Sequence, residues 1–237
     1  MRFASHRDVA RAIERGVRKA GVPVAYSAGF SPHPKISYSG GAPTGAASEA
    51  EYLDMSLTRH CEPADVGRRL NAALPDGIDV IDVAEADGKS AVQLEASAWE
   101  VTWPGVTPCV AAAAAAEFMA AGTVEVSRLT TKGMRRLDAR AAVISLDVLP
   151  DDDGRRADPD HSGGPAILRM VVRQVTPTVR PDDVLAALGQ SSALATAARP
   201  TVPAAPPPLA ARLWQGPLSD LMRNGDVLTT AHTRPWA

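Results

Sequence analysis

The chain predicts an α+β fold: two tandem βαββαβ units, the second irregular, followed by a Pro/Ala-rich tail. Three observations carry that expectation. Over residues 1–87 the apolar spacing alternates between period two and a period of about 3.6 in the order strand, helix, strand, strand, helix, strand, which is the ferredoxin-like order. A comparable cycle restarts over residues 96–190. From Arg199 onward Pro and Ala dominate, with Pro206-Pro207-Pro208 in succession, so residues 191–237 read as an extended or disordered tail.

Met1-Arg2-Phe3-Ala4 reads as the end of a strand whose beginning is missing. The first helix follows. Ser5 and Asp8 form an S-x-x-D capping pattern, and Gly21 with Pro23 supplies the stop. Val9, Ile13, Val17 and Ala20 make one apolar stripe, and Arg7, Arg11, Arg15 and Arg18 recur on the opposite face. Strands are expected at Val24–Ser27, Lys35–Ser39 and Glu51–Leu57, the last from the alternation of Leu53, Met55 and Leu57 with polar neighbours. Val66, Leu70 and Leu74 mark a helix over Glu62–Leu74, and Pro75-Asp76-Gly77 turns the chain into a strand at Ile78–Val83.

Beyond an acidic connector at Glu85–Lys89, a strand is expected at Trp99–Trp103 and a helix at Pro108–Ala121. Further strands are expected at Val124–Leu129, Ala142–Leu149 and Ile167–Val175, then a helix at Asp182–Leu188 with Pro181 near its start. Asp151–Gly164 is acidic and Gly-rich, a loop by composition. In the tail, Leu213, Trp214, Leu218 and Leu221 give Leu209–Met222 the option of docking as a short helix.

With 237 residues the chain is long enough for one large domain or two ordinary ones. Its formal net charge of −2 conceals a polarity. Residues 1–35 hold seven Arg/Lys against two acids, and residues 36–100 hold four against twelve. Cys61 and Cys109 stand alone, which speaks against a structural zinc site or an iron–sulfur cluster. Without a membrane-length apolar run or a signal peptide, the expected location is the cytoplasm. Fingerprints of serine hydrolases, P-loops and dinucleotide sites are absent, so no cofactor is expected.

Residues Tyr26–Leu57 hold every tyrosine of the chain: Tyr26, Tyr38 and Tyr52. Pro32 and Pro34 bracket His33 and hold it on a stiff loop. The run Gly40–Gly45 offers backbone N–H groups with little side-chain cover, a surface suited to phosphate. A second cluster of cations, Arg128, Lys132, Arg135, Arg136 and Arg140, has Asp138 as its lone acid and falls on a turn around Gly133. His6 and His33 are the candidate general acid/base residues. Glu51 and Asp54 alternate to opposite strand faces, so no metal site is expected.

Three segments carry a family resemblance: Ser5-His6-Arg7-Asp8; Gly21 through Lys35, including Tyr26-Ser27-Ala28-Gly29-Phe30-Ser31-Pro32-His33-Pro34; and Ser48-Glu49-Ala50-Glu51-Tyr52-Leu53-Asp54. They resemble the radical-SAM-associated domain of bacteria, found fused to a radical-SAM enzyme or as a separate protein. The resemblance is close over roughly the first hundred residues. It implies a chain that accompanies such chemistry, since the three-cysteine motif of the enzyme itself is missing.

The functional expectation is an RNA-binding accessory protein, more a partner than a catalyst, that serves radical-SAM-type RNA modification or RNA processing on tRNA or rRNA. Arg7, Arg11, Arg15, Arg18, Lys35 and the cations from Arg128 to Arg140 would contact phosphates, while Tyr26, Phe30 and Tyr38 would stack on bases. Two rivals stand beside it. One is a metal-independent endoribonuclease or RNA-modifying enzyme using His6 or His33. The other is a protein-interaction module that docks on a radical-SAM enzyme or ribonuclease through its acidic half.

Overall fold

The computed structural model describes residues 3–48, 51–86, 95–131, 133–150, 164–196 and 211–216. The chain is a mixed α+β protein of two compact units, Met1–Val92 and Gln93–Ala237.

The first unit begins with α1 (His6–Lys19). Ser5 caps it: its hydroxyl accepts from Asp8 N–H, and the Asp8 carboxylate accepts from Ser5 N–H in return. The Ser5 hydroxyl donating to the Asp8 carboxylate (2.6 Å), and then the bond from Ser5 N–H, hold the Asp8 carboxyl below its ordinary pKa. The apolar stripe of α1 seats Ile13 and Val17 in a core with Val22, Val24, Val66 and Leu70, and Val17 is fully buried. Strand β1 (Ile36–Ser39) pairs antiparallel with β3 (Tyr52–Met55), Tyr38 opposite Leu53, and a short β2 (Ala46–Ser48) lies between them in sequence. Helix α2 (Pro63–Ala73) packs against α1. Its Arg69 donates to the carbonyls of Ala20 and Gly21, which satisfies the C-terminal end of α1 from outside the helix.

The expected strands of this unit are only partly realised. Phe3 and Ala4 form a turn, because Ser5 immediately takes the helix cap. Val24–Ser27 makes two isolated bridges, Val24 to Leu57 and Tyr26 to Pro34, in a stretch where Pro23, Pro32 and Pro34 have no N–H for a ladder. Ile78–Val83 belongs to no ladder. Asn71 of α2 stands where a neighbouring strand would: its amide donates to Val80 C=O (2.9 Å) and accepts from Val80 N–H (2.6 Å). Among the described residues of this unit the ladder therefore stays two-stranded.

The second unit is built on an antiparallel sheet. Its strands are β4 (Ala96–Trp103), β7 (Val143–Val148), β8 (Ala166–Arg173) and β9 (Ala211–Gly216), adjacent in the order β9-β4-β8-β7. One face is dry: Trp99 lies opposite Met170, Val101 opposite Leu168 and Trp103 opposite Ala166, all buried. Helix α3 (Pro108–Ala120) covers β7 and β8 through Ala111, Ala114, Ala115 and Phe118. Between α3 and β7 the chain inserts a hairpin, β5 (Glu125–Thr130) and β6 (Gly133–Asp138), and a single helical turn, α4 (Ala139–Ala142). Helix α5 (Pro181–Leu188) and the short α6 (Ser192–Thr196) pack on α3. The β9 strand overturns, at residues 211–216, both the expected disordered tail and the optional helix: they extend the sheet along β4 from Ala96 to Val101, and pairing across the sheet overrides local pattern. Ser192–Thr196 likewise forms a short helix where a tail was expected, and the expected loop at 151–163 and tail residues 197–210 and 217–237 lie outside the described residues.

Glu117 stitches α3 to α6. Its carboxylate accepts from the hydroxyls of Ser191 (2.6 Å) and Ser192 (2.9 Å) and from Ser192 N–H (3.1 Å), and these bonds lower its pKa below the ordinary 4.5. A carboxyl lowered by folding supports the fold fully above its ordinary pKa and loses that support as pH falls through the lowered value. The Glu117 carboxyl, followed by carbon-detected NMR, is therefore expected to titrate below 4.5 in the wild type and to move up in Ser191→Ala/Ser192→Ala. An ordinary value in the wild type would mean that the stitch does not hold in solution.

Candidate nucleic-acid interface

The solvent face of α1 follows from its buried face. At about 100° per residue, Arg7, Arg11, Arg15 and Arg18 fall within an arc of roughly 80°, diametrically opposite Val9, Ile13 and Val17. All four arginines are exposed. From Arg7 to Arg18 the row spans about 16 Å along the helix axis. Arg18 Nε lies 3.4 Å from the Glu14 carbonyl, and no ion pair engages Arg7, Arg11 or Arg15 among the described residues. Beside the row, Arg15 and Lys19 border a cleft of about 300 Å³ whose other wall is Ala73, Leu74 and Pro75 at the end of α2. The cleft thus joins two cations to an apolar wall.

A second feature of the unit is the loop from Tyr26 to Lys35. Ser27 N–H donates to His33 C=O (2.8 Å), and His33 N–H donates to the Ser27 hydroxyl (3.0 Å). The bridge between Tyr26 and Pro34 and the bond from Lys35 N–H to Ala25 C=O (2.8 Å) close the base. Gly29, at φ 127°, turns the tip through a conformation that L side chains rarely adopt. The result presents Phe30 entirely to solvent, at 110% relative exposure, with Tyr26 at 45% and with His33 and Lys35 also exposed. A closed loop that holds out a bare phenyl ring uses apolar area for something other than a core.

Tyr38 does not share that role. Its hydroxyl points at the Ala10 carbonyl (3.5 Å), its ring is half-buried against the core, and the edge of the His6 ring meets it with centroids 5.3 Å apart. Burial and then the Glu14 charge raise the Tyr38 pKa, so the phenol stays protonated. His6 lies at the first turn of α1 against Gly41, where its ring would be 3.0 Å from any added Cβ. His6 and His33 are both exposed and belong to separate features of the unit, His6 beside Tyr38 and His33 on the loop. The Gly40–Gly45 run already serves an anion: Ala42 N–H donates to the Glu51 carboxylate (3.2 Å).

In the second unit most of the expected phosphate contacts have other work. Arg128 pairs with Asp183, which is 5% exposed, and also donates to the Thr178 carbonyl (3.2 Å). Asp183 in turn accepts from Arg180 N–H at the start of α5 (2.8 Å). Arg140 donates to the carbonyls of Met119 (3.3 Å) and Val143 (2.9 Å). Arg136 pairs with Glu125 across the hairpin. Arg135 is exposed, and Lys132 lies outside the described residues. Sequence reasoning saw cations here but not the acid that binds one of them, since Asp183 is separated from Arg128 by 55 residues. Among the described residues, no group of three or more His, Cys, Asp or Glu could hold a metal, and Cys61 and Cys109 are free thiols. No helix among them is long and apolar enough to cross a membrane.

Asp183→Ala is expected to cost about 2–4 kcal/mol, since it strands a largely buried guanidinium and uncaps α5. Arg136→Ala should change stability by no more than about 0.5 kcal/mol, because both members of its pair are exposed. Urea denaturation of the two variants checks the contrast; equal small losses would return Arg128 to the pool of free cations.

No curated protein matches this chain. The sequence model of one family, described as "Uncharacterized protein conserved in bacteria (DUF2344)", matches residues 1–181. That span exceeds half of the 237 residues, and the chain belongs to this bacterial family.

Proposed function

We propose that this chain is an RNA-binding accessory protein and that its first unit carries the binding. The observation behind this reading is the row of four exposed arginines on α1, none of them paired with a carboxylate among the described residues, in a chain whose net charge is −2. The row supplies phosphate contacts, which position an RNA without reading its sequence. Lys35 adds a cation beside the loop that displays Phe30 and Tyr26, two rings free to stack on unpaired bases. Arg135 is a further contact that the second unit can offer, whereas Arg128, Arg136 and Arg140 act within the fold.

The finer context comes from the resemblance to the radical-SAM-associated domain. It supports a role beside a radical-SAM-type RNA-modifying or RNA-processing enzyme in the cytoplasm, with tRNA or rRNA as the ligand. A ferredoxin-like reading of the second unit belongs here too. With the β5–β6 hairpin set aside, its elements run strand, helix, strand, strand, helix, strand, and its sheet order supports that plan. Fold alone assigns no activity.

Fluorescence anisotropy with labelled tRNA over a range of salt concentrations tests the proposal. Arg11→Glu/Arg15→Glu is expected to weaken binding by at least about tenfold and to flatten the salt dependence by roughly one unit of slope per lost phosphate contact. Phe30→Ala should weaken binding to single-stranded loops by about 1–3 kcal/mol and leave the slope unchanged. Wild-type affinity and slope in the arginine variant would overturn the proposal. Cleaved or altered RNA that depends on His6 would transfer the reading to the enzyme rival.

A further inference from the structure

The segment Ile78–Ile81 alternates half-buried and exposed residues at the period of a strand, with one side served and the other open. In extended backbone the N–H and C=O of one residue point the same way, and those of its neighbours point the opposite way. Asn71 takes both backbone groups of Val80, at 2.6 and 2.9 Å, so the edge toward α2 is closed. Asp79 and Ile81 therefore turn their N–H and C=O groups outward, and among the described residues neither makes a backbone hydrogen bond. The side chains agree from Ile78 to Ile81; the alternation ends at Asp82, whose carboxylate accepts from Val83 N–H (2.9 Å). Ile78, Val80 and Val83 pack on the core of the unit, and Val83 fits against Gly67 of α2, where an added Cβ would come within 3.2 Å. Asp79 and Asp82 are exposed, and Ile81 stands 81% exposed between them.

We propose that this edge accepts an added β-strand from another polypeptide, and that the strand is basic. An open edge of unpaired backbone groups is the template for strand addition, where main-chain bonds give affinity and alternate side chains give specificity. Charge selects the partner. Asp79 and Asp82 flank the docking position, while Glu85 farther along already faces His60 at 3.7 Å. Facing them, an incoming strand places Lys or Arg opposite Asp79 and opposite Asp82, with an apolar residue opposite Ile81. A nucleic acid is repelled by the same carboxylates, so this edge is distinct from the arginine row of α1.

The test uses the full chain and the synthetic peptide acetyl-Val-Lys-Val-Thr-Lys-Val-amide, with the Glu-for-Lys peptide as control. Hydrogen–deuterium exchange is expected to slow at Asp79 and Ile81 with the lysine peptide and to stay unchanged with the glutamate peptide. Ile81→Pro removes the outward N–H and leaves both Asn71 bonds available, so it should weaken peptide binding by at least about tenfold. Asp79→Lys/Asp82→Lys keeps the backbone and should weaken it comparably. Equal binding of the two peptides, protection only elsewhere, or binding unaffected by both variants would overturn the proposal. So would a wild-type dimer that Ile81→Pro dissolves without any peptide protection, which would assign the edge to a second copy of the chain.

Discussion

The seat of α1 on its unit is the constraint from which the rest of the functional reading follows. Val17 is fully buried, Ile13 nearly so, and Arg69 ties the carbonyls at the end of the helix to α2. Once that face is fixed, the arginines have nowhere to point but outward. Apolar burial, not any attraction among the cations, creates the row. Four like charges along one helix face repel each other, and a helix tolerates them because tertiary packing supplies its stability. A polyanion laid along the row would relieve that repulsion.

The two units use arginine in opposite ways. On α1 the guanidinium groups stay in water, where they keep their charge available over a distance set by ionic strength. In the second unit Arg128 is drawn against Asp183 and Thr178, and Arg140 against two carbonyls. Those groups substitute for hydrogen bonds that helix ends and loop backbone lack. Exposure and partners separate the two kinds of cation, and residue type does not.

Much of the fold was legible in sequence because it rests on local rules. The Ser5/Asp8 cap, the stripe of Val9, Ile13 and Val17, and Pro108 at the first position of α3 all appear where their patterns put them. The misses share one cause, which is partners that lie outside each element's own pattern. Asn71 replaces a strand beside Val80, β9 arrives from the far end of the chain, and Asp183 captures Arg128. In the candidate site the α1 row and the exposed Phe30 were readable from helical period and from a loop of Gly and Pro. That Tyr38 folds its ring against His6 and its hydroxyl toward Ala10 was not, because a tyrosine on a strand gives no sign of which face will be covered.

Ultraviolet crosslinking of the full chain to tRNA, with mass spectrometric mapping of the nucleotide-bearing peptides, probes the central claim most directly. The account predicts adducts on the loop that carries Tyr26 and Phe30, lost when Arg11 and Arg15 are replaced by glutamate. Adducts confined to residues 125–140, or a loop that crosslinks equally well without those arginines, would contradict it.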